Sequence, residues 1–366
     1  MQLGVAAALV DGELVQGDVS VDDGRVTAVG IEPAAAAGLA VPGFVDAHVN
    51  GFAGVDFMGT DPEGYRTAAA ALASTGVVAF QPTFVSAPVA DTIAALETAA
   101  ATTSEPGLPL LTGVHLEGPF LSPLWPGAHD PAALRAPDPR LAVRLCEHGP
   151  VRTVTLAPEL AGGMELVELL VARGVVVSCG HSDADAETAR AAFDHGARAI
   201  THIYNAHRRW EPRDPGLGGV ALVHPGVTVQ AIVDGIHLAP ESAYAAFLAA
   251  GERFCLVTDA IEAATLTPGD YRLGQRAVHV DDGAVRLDDG TLAGSVLTLD
   301  QALRNLVACG APLAAAAHAA AGASAALLGR PDLGVLRPGR PAHVTVLDDD
   351  LQVTRTLVGG AEAFAS

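Results

Sequence analysis

Short runs of apolar residues recur along most of the chain, each followed by a stretch of helical character. The runs are FVDAHV (44–49), VVAFQPT (77–83), LLTGVHLE (110–117), VRTVTLAP (151–158), GVVVSCGH (174–181), ARAITHI (197–203), VTVQAIV (227–233) and FCLVTD (254–259). They are nearly continuous rather than alternating, which marks strands covered on both faces. Between the first two, DPEGYRTAAAALASTG opens acidic and stops at Gly76, as a helix does. Eight strand-then-helix repeats predict an α/β fold, a parallel sheet closed into a (β/α)8 TIM barrel.

Both ends of the chain read differently. Residues 1–31 break into short strand-like runs joined by tight turns such as Asp22-Asp23-Gly24, and AHVTVLDDDLQVTRTLVGG near the C-terminus has the same style. Neither end is long enough to fold alone. Paired, they predict a small β-sandwich from residues 1–42 and 338–366, leaving 43–337 to the barrel. One stretch, YRLGQRAVHVDDGAVRLDDGTLAG (271–294), breaks the repeat, and its Asp-Asp-Gly turns predict a β-hairpin inserted after the eighth strand.

Composition narrows the partners. The formal charge of -21 argues against nucleic-acid and anionic-membrane surfaces, which need a basic face. An anionic substrate would have to be met by a local group of cations. The four cysteines stand far apart without a paired spacing, so they read as buried thiols. The N-terminal apolar run is cut by Asp11 and Glu13, and the Ala-rich stretch 311–328 is too mixed to span a membrane. A cytoplasmic location is the expectation.

The polar residues then fall in an informative place. The first strand ends in Asp46, His48 and Asn50, the third in His115 and Glu117, the fifth at His181, the sixth at His202 and the eighth at Asp259. In a barrel of this kind all C-terminal strand ends open on one mouth, where active sites are built. Residues two apart share one face of a strand, so His48 and Asn50 project together, as do His115 and Glu117. Glu117, His181 and His202 supply one oxygen and two nitrogens, the donor set of a catalytic zinc site with a position left open. His207, Arg208, Arg209 and Arg213 form the densest basic patch, and guanidinium suits a phosphate.

PGFVDAHVNG, HLEGPF, GHSDA, THIYNAH, VDGIHL, VTDA and LAGSVLTLDQALRNLV together resemble the amidohydrolase superfamily, and more narrowly its N-acetylglucosamine-6-phosphate deacetylase family, from about residue 20 to the C-terminus. The resemblance implies a divalent metal, zinc by donor type, on Glu117, His181 and His202, with Asp259 as general acid and base. It implies substrate contacts from His129, Asn205, Ala206 and His237, and His129 is also the candidate catalytic donor that would stabilise the carbonyl oxygen. It also implies a homodimer in which Arg213 reaches the neighbouring active site, and a small phosphosugar as substrate. The expected reaction is deacetylation of N-acetylglucosamine 6-phosphate, with the galactosamine epimer as the alternative. A non-catalytic scaffold would have shed its ligands, and a cyclic-amidase-like enzyme would carry a lysine on the fourth strand. Two features depart from the family. His48-x-Asn50 stands where two-metal relatives have two histidines, so one metal per subunit is expected, with His48 available to a second. The loop LSPLWPGA lacks the lysines many relatives carry there.

Overall fold

A computed structural model describes all 366 residues. Eight parallel strands form its centre: Phe44–Val49, Val77–Val85, Val114–Glu117, Val151–Leu156, Val176–Cys179, Ala199–Ile200, Thr228–Ala231 and Phe254–Leu256. They pair in that order, and Leu110–Leu111 adds a short edge to the second. The ring closes from eighth strand to first. Val49 bridges Ala260 in parallel, the Asp259 amide donates to the His48 carbonyl at 2.8 Å, and the Thr258 hydroxyl donates to Asp46 Oδ2 at 2.6 Å. Every residue of the first strand is buried, which is why these segments read as unbroken apolar runs.

Each strand is followed by an outer helix, from Pro62–Ala73 after the first to Leu299–Ala308 after the eighth. The first of these starts as its sequence predicts. Asp61 caps it by accepting from the Gly64 amide, and the chain leaves through Gly76 at φ +84°. The Ala-rich stretch forms two helices, Leu313–Ala320 and Gly322–Leu327, each with one side buried, and no helix of the molecule is long and apolar enough to cross a membrane.

Strands from the two ends share one six-stranded sheet, in the order Glu13–Gln16, Ala7–Val10, Leu39–Pro42, Val344–Leu347, Val353–Val358, Ala361–Ala365. A two-stranded ribbon, Asp18–Asp22 with Arg25–Ile31, packs against it over a separate apolar core that includes Val5, Val19, Val26, Ala40 and Val344. The insertion after the eighth strand is larger than the hairpin its turns predict. It is a four-stranded antiparallel meander of Gly269–Leu273, Arg276–Asp281, Ala284–Arg286 and Leu292–Ser295. The extra pairings come from Gly269–Leu273 and Leu292–Ser295, whose mixed composition hides them. The meander has a small core of its own, and its last strand joins the barrel where Ser295 bridges Ala260.

Candidate active site

The C-terminal strand ends converge as the spacing predicts. Glu117 Oε1 lies 3.1 Å from His181 Nε2 and 3.0 Å from His202 Nε2, and the two nitrogens are 3.2 Å apart. His181 Nδ1 donates to the Trp125 carbonyl at 3.0 Å, so its Nε2 carries the lone pair. Three donor atoms around a tetrahedral zinc at about 2.05 Å would stand about 3.3 Å apart, close to the observed triangle. A single proton can serve only one pair of these atoms, whereas a divalent cation satisfies all three. Burial, with His129 and His202 nearby, pushes the His181 imidazole down to about 4, keeping it neutral as a ligand must be. Burial opposes ionising Glu117, but His48 and the imidazoles of His129, His181 and His202 hold its carboxyl well below the ordinary range. These residues fit a metal ion.

Backbone strain is concentrated here. His181, His202 and Asp259 all sit at positive φ (+49°, +28° and +50°), a region non-glycine residues seldom occupy. All three stand where a strand gives way to a loop, and the left-handed turn directs each side chain across the barrel mouth.

A second cluster shares Glu117. His48 Nε2 lies 3.1 Å from Asp259 Oδ1 and 3.5 Å from Glu117 Oε2. Burial disfavours charge on His48, but Asp259 and Glu117 raise its proton affinity well above that of an ordinary histidine. A cation therefore belongs between these carboxylates, either the His48 imidazolium or an ion. Asn50 donates to Asp259 Oδ1 at 2.6 Å and fixes that carboxylate, while Oδ2 makes no hydrogen bond within the protein. His115 is not a ligand, because its ring nitrogens are taken by Thr83 at 3.1 Å and Thr155 at 2.7 Å.

His129 comes from the loop after the third strand. The Ser86 amide donates to its Nδ1 at 3.1 Å, so in the neutral ring Nε2 bears the proton, and Nε2 points at Glu117 Oε2 from 3.6 Å. That loop is tied down by Trp125, whose indole donates to Asp183 at 2.8 Å. A side chain at Gly127 would place its Cβ 2.9 Å from the His181 ring, so the loop's close approach requires glycine there.

A cavity of about 410 Å³ opens over the cluster, lined among others by Glu117, His129, His181, His202, Asn205, Ala206, His237 and Asp259. His237 is oriented by Asp234, whose Oδ2 accepts from its Nδ1 at 2.7 Å. Arg213 lies exposed outside the cavity. The basic patch is smaller than its sequence implies. His207 is buried, donates to the Thr201 carbonyl, and is pushed by burial down to about 3, so it carries no charge. Arg208 pairs with Asp214 at 3.2 Å. The cavity instead holds Arg286, on the meander, which sequence reasoning missed because nothing in the repeat says where an insertion folds.

The profile of the amidohydrolase family matches residues 39–364. The chain belongs to that family. Such enzymes are metal-dependent hydrolases, and this amidohydrolase contains no lysine at all, which removes any carboxylated-lysine metal bridge. It is 36% identical to an N-acetylglucosamine-6-phosphate deacetylase of Vibrio furnissii, over 88% of this chain and 82% of that protein. It is equally 36% identical to an N-acetylgalactosamine-6-phosphate deacetylase of Escherichia coli O157:H7, over 96% and 95%. The crystal structure of N-acetyl-D-glucosamine-6-phosphate deacetylase from Mycobacterium smegmatis superposes with a TM-score of 0.93 at 35% identity, covering 100% of both chains. The corresponding structure from Thermotoga maritima gives 0.92 at 33%, again over 100% of both.

Proposed function

We propose that this amidohydrolase removes the acetyl group from N-acetylglucosamine 6-phosphate, giving glucosamine 6-phosphate and acetate in amino-sugar breakdown in the cytoplasm. The observation that carries the reading is the triangle of Glu117, His181 and His202 beside an Asp259 with one free oxygen, at the mouth of the barrel.

Glu117, His181 and His202 would hold one zinc-type ion, with His48 available to a second. Such an ion supplies Lewis-acid polarisation and makes water acidic near neutral pH. The protein's own groups do the rest. Asp259, ionised and held through Oδ1 by Asn50, accepts a proton from the attacking water at Oδ2 and delivers it to the leaving amine. His129 donates its Nε2 proton to the carbonyl oxygen as charge builds there. Asn205, Ala206 and His237 line the wall where the sugar phosphate would lie, and binding that end fixes the amide against the catalytic groups. The exposed Arg213 fits the role of a residue reaching a neighbouring subunit in a homodimer.

Acetate release from N-acetylglucosamine 6-phosphate and from its galactosamine epimer, measured side by side, tests the reading. Turnover of the first supports it. Turnover of the second alone moves the assignment to the epimer that the E. coli relative's name carries, and turnover of neither removes the deacetylase reading.

A further inference from the structure

Arg286 is the one arginine among the residues lining the active-site cavity. With no lysine in the chain, it is the cavity's one permanently charged cation. Its neighbours Val285 and Leu287 are buried in the meander core with Leu273, Val278 and Val280, so Arg286 is turned to the opposite face of its strand. Across the ladder it pairs with Leu292, which lines the same cavity. Two residues further along that strand, a Cβ added at Gly294 would stand 2.8 Å from the Asp259 carbonyl oxygen. Two residues of strand span about 7 Å. Arg286 thus lines the cavity across from Leu292, about 7 Å of strand from the glycine that packs against the Asp259 backbone.

Its guanidinium is little used. Nη1 donates to the Gly290 carbonyl at 2.8 Å, and no carboxylate pairs with it, although Asp288 and Asp289 follow closely in a chain with 42 acidic residues. The remaining donors are free to face the cavity. A phosphate entering a molecule of charge -21 is repelled at long range, so its binding depends on local cations.

We infer that Arg286 is an anion-recognition group of the same subunit, reading the substrate phosphate in addition to Arg213. The inference rests on the phosphosugar reading above. The planar guanidinium fork is suited to two phosphate oxygens. It selects for the phosphorylated sugar and takes no part in bond cleavage.

The test compares wild type, Arg286→Ala, Arg286→Lys and Arg213→Ala on N-acetylglucosamine 6-phosphate and on unphosphorylated N-acetylglucosamine. Calorimetric binding of glucosamine 6-phosphate is measured on the same proteins, with metal content and melting temperature as folding controls. Arg286→Ala should raise KM for the phosphosugar about 10- to 100-fold, as loss of a charge-assisted hydrogen bond does, and weaken glucosamine 6-phosphate binding comparably. The lysine variant should recover part of this, and kcat/KM on the plain sugar should stay within about twofold. Unchanged KM and binding in Arg286→Ala would overturn the inference, as would an equal loss on both sugars. Wild type that binds glucosamine 6-phosphate through Arg286 without releasing acetate would leave the inference standing and remove the deacetylase reading. Wild type that binds no sugar phosphate would remove both.

Discussion

Replacing Asp259 by asparagine removes a proton acceptor and leaves almost everything else in place. The backbone ties hold on both sides: the residue 259 amide donates to the His48 carbonyl at 2.8 Å, and its carbonyl accepts from the Ser295 amide at 2.8 Å. Asn50 still has an oxygen to donate to where it now meets Asp259 Oδ1 at 2.6 Å. The three proposed ligands are untouched, so a bound ion should remain. Chemically, however, the group is disabled. Burial opposes charge on Asp259, yet His48 beside it keeps the carboxyl below its ordinary range, so it is ionised and able to take a proton at neutral pH. An amide is not. General acid–base catalysis is worth about 10²- to 10⁴-fold, or about 2.7–5.4 kcal/mol at 1.36 kcal/mol per decade. Acetate release from N-acetylglucosamine 6-phosphate should fall by that factor in Asp259→Asn while divalent metal per chain stays constant. A variant within tenfold of wild type at full metal content would refute the assignment. Loss of metal together with rate would make Asp259 a ligand instead.

Three further outcomes follow from the geometry. His129→Ala should lower kcat about 10²- to 10³-fold with metal content and phosphosugar KM little changed, since it deletes the donor proposed to stabilise the reacting carbonyl; a changed KM at constant kcat would assign it to ground-state binding. Gly294→Ala puts a Cβ 2.7 Å from Ile261 Cγ2 at φ +69°, so chemical denaturation should show a loss of about 2 kcal/mol or more, with reduced kcat as the strand beside Asp259 shifts. His343, in the terminal sheet region, accepts from the Gly359 amide, and burial holds its proton affinity below the ordinary value. Its unfolded form takes a proton near pH 6.5 while the folded form resists. Its contribution is therefore complete above about pH 6.5 and lost as pH falls, by up to about 1.4 kcal/mol per unit, and His343→Asn should flatten that part of the stability profile.

Much of this was legible because the barrel imposes one rule on the whole chain. Strands covered on both faces must be apolar throughout, so polar residues survive chiefly at their C-terminal ends, and Glu117, His181, His202 and Asp259 stand out for that reason. Periodicity could place them on a rim. It could not show that His115 is satisfied by Thr83 and Thr155, because a hydroxyl on a neighbouring strand is invisible in a single run. His207 shows the converse: adjacent to two arginines it reads as a cation, yet the chain turns it inward to the Thr201 carbonyl. The role of Asn50 emerged only from the closing of first strand on eighth, which brings residues 209 positions apart within hydrogen-bonding distance. Arg286 was hidden by the meander, since the sequence gives an insertion's turns but not the surface on which it lies.

The central claim is that one divalent ion on Glu117, His181 and His202 makes this chain an amide hydrolase. Chelated protein titrated with Zn²⁺ while acetate release is followed tests it directly. Activity should rise from near zero to a plateau that breaks at one ion per chain, and should fail to rise in His202→Ala. Full activity in the chelated protein, or none at any zinc concentration together with no bound ion, would contradict it.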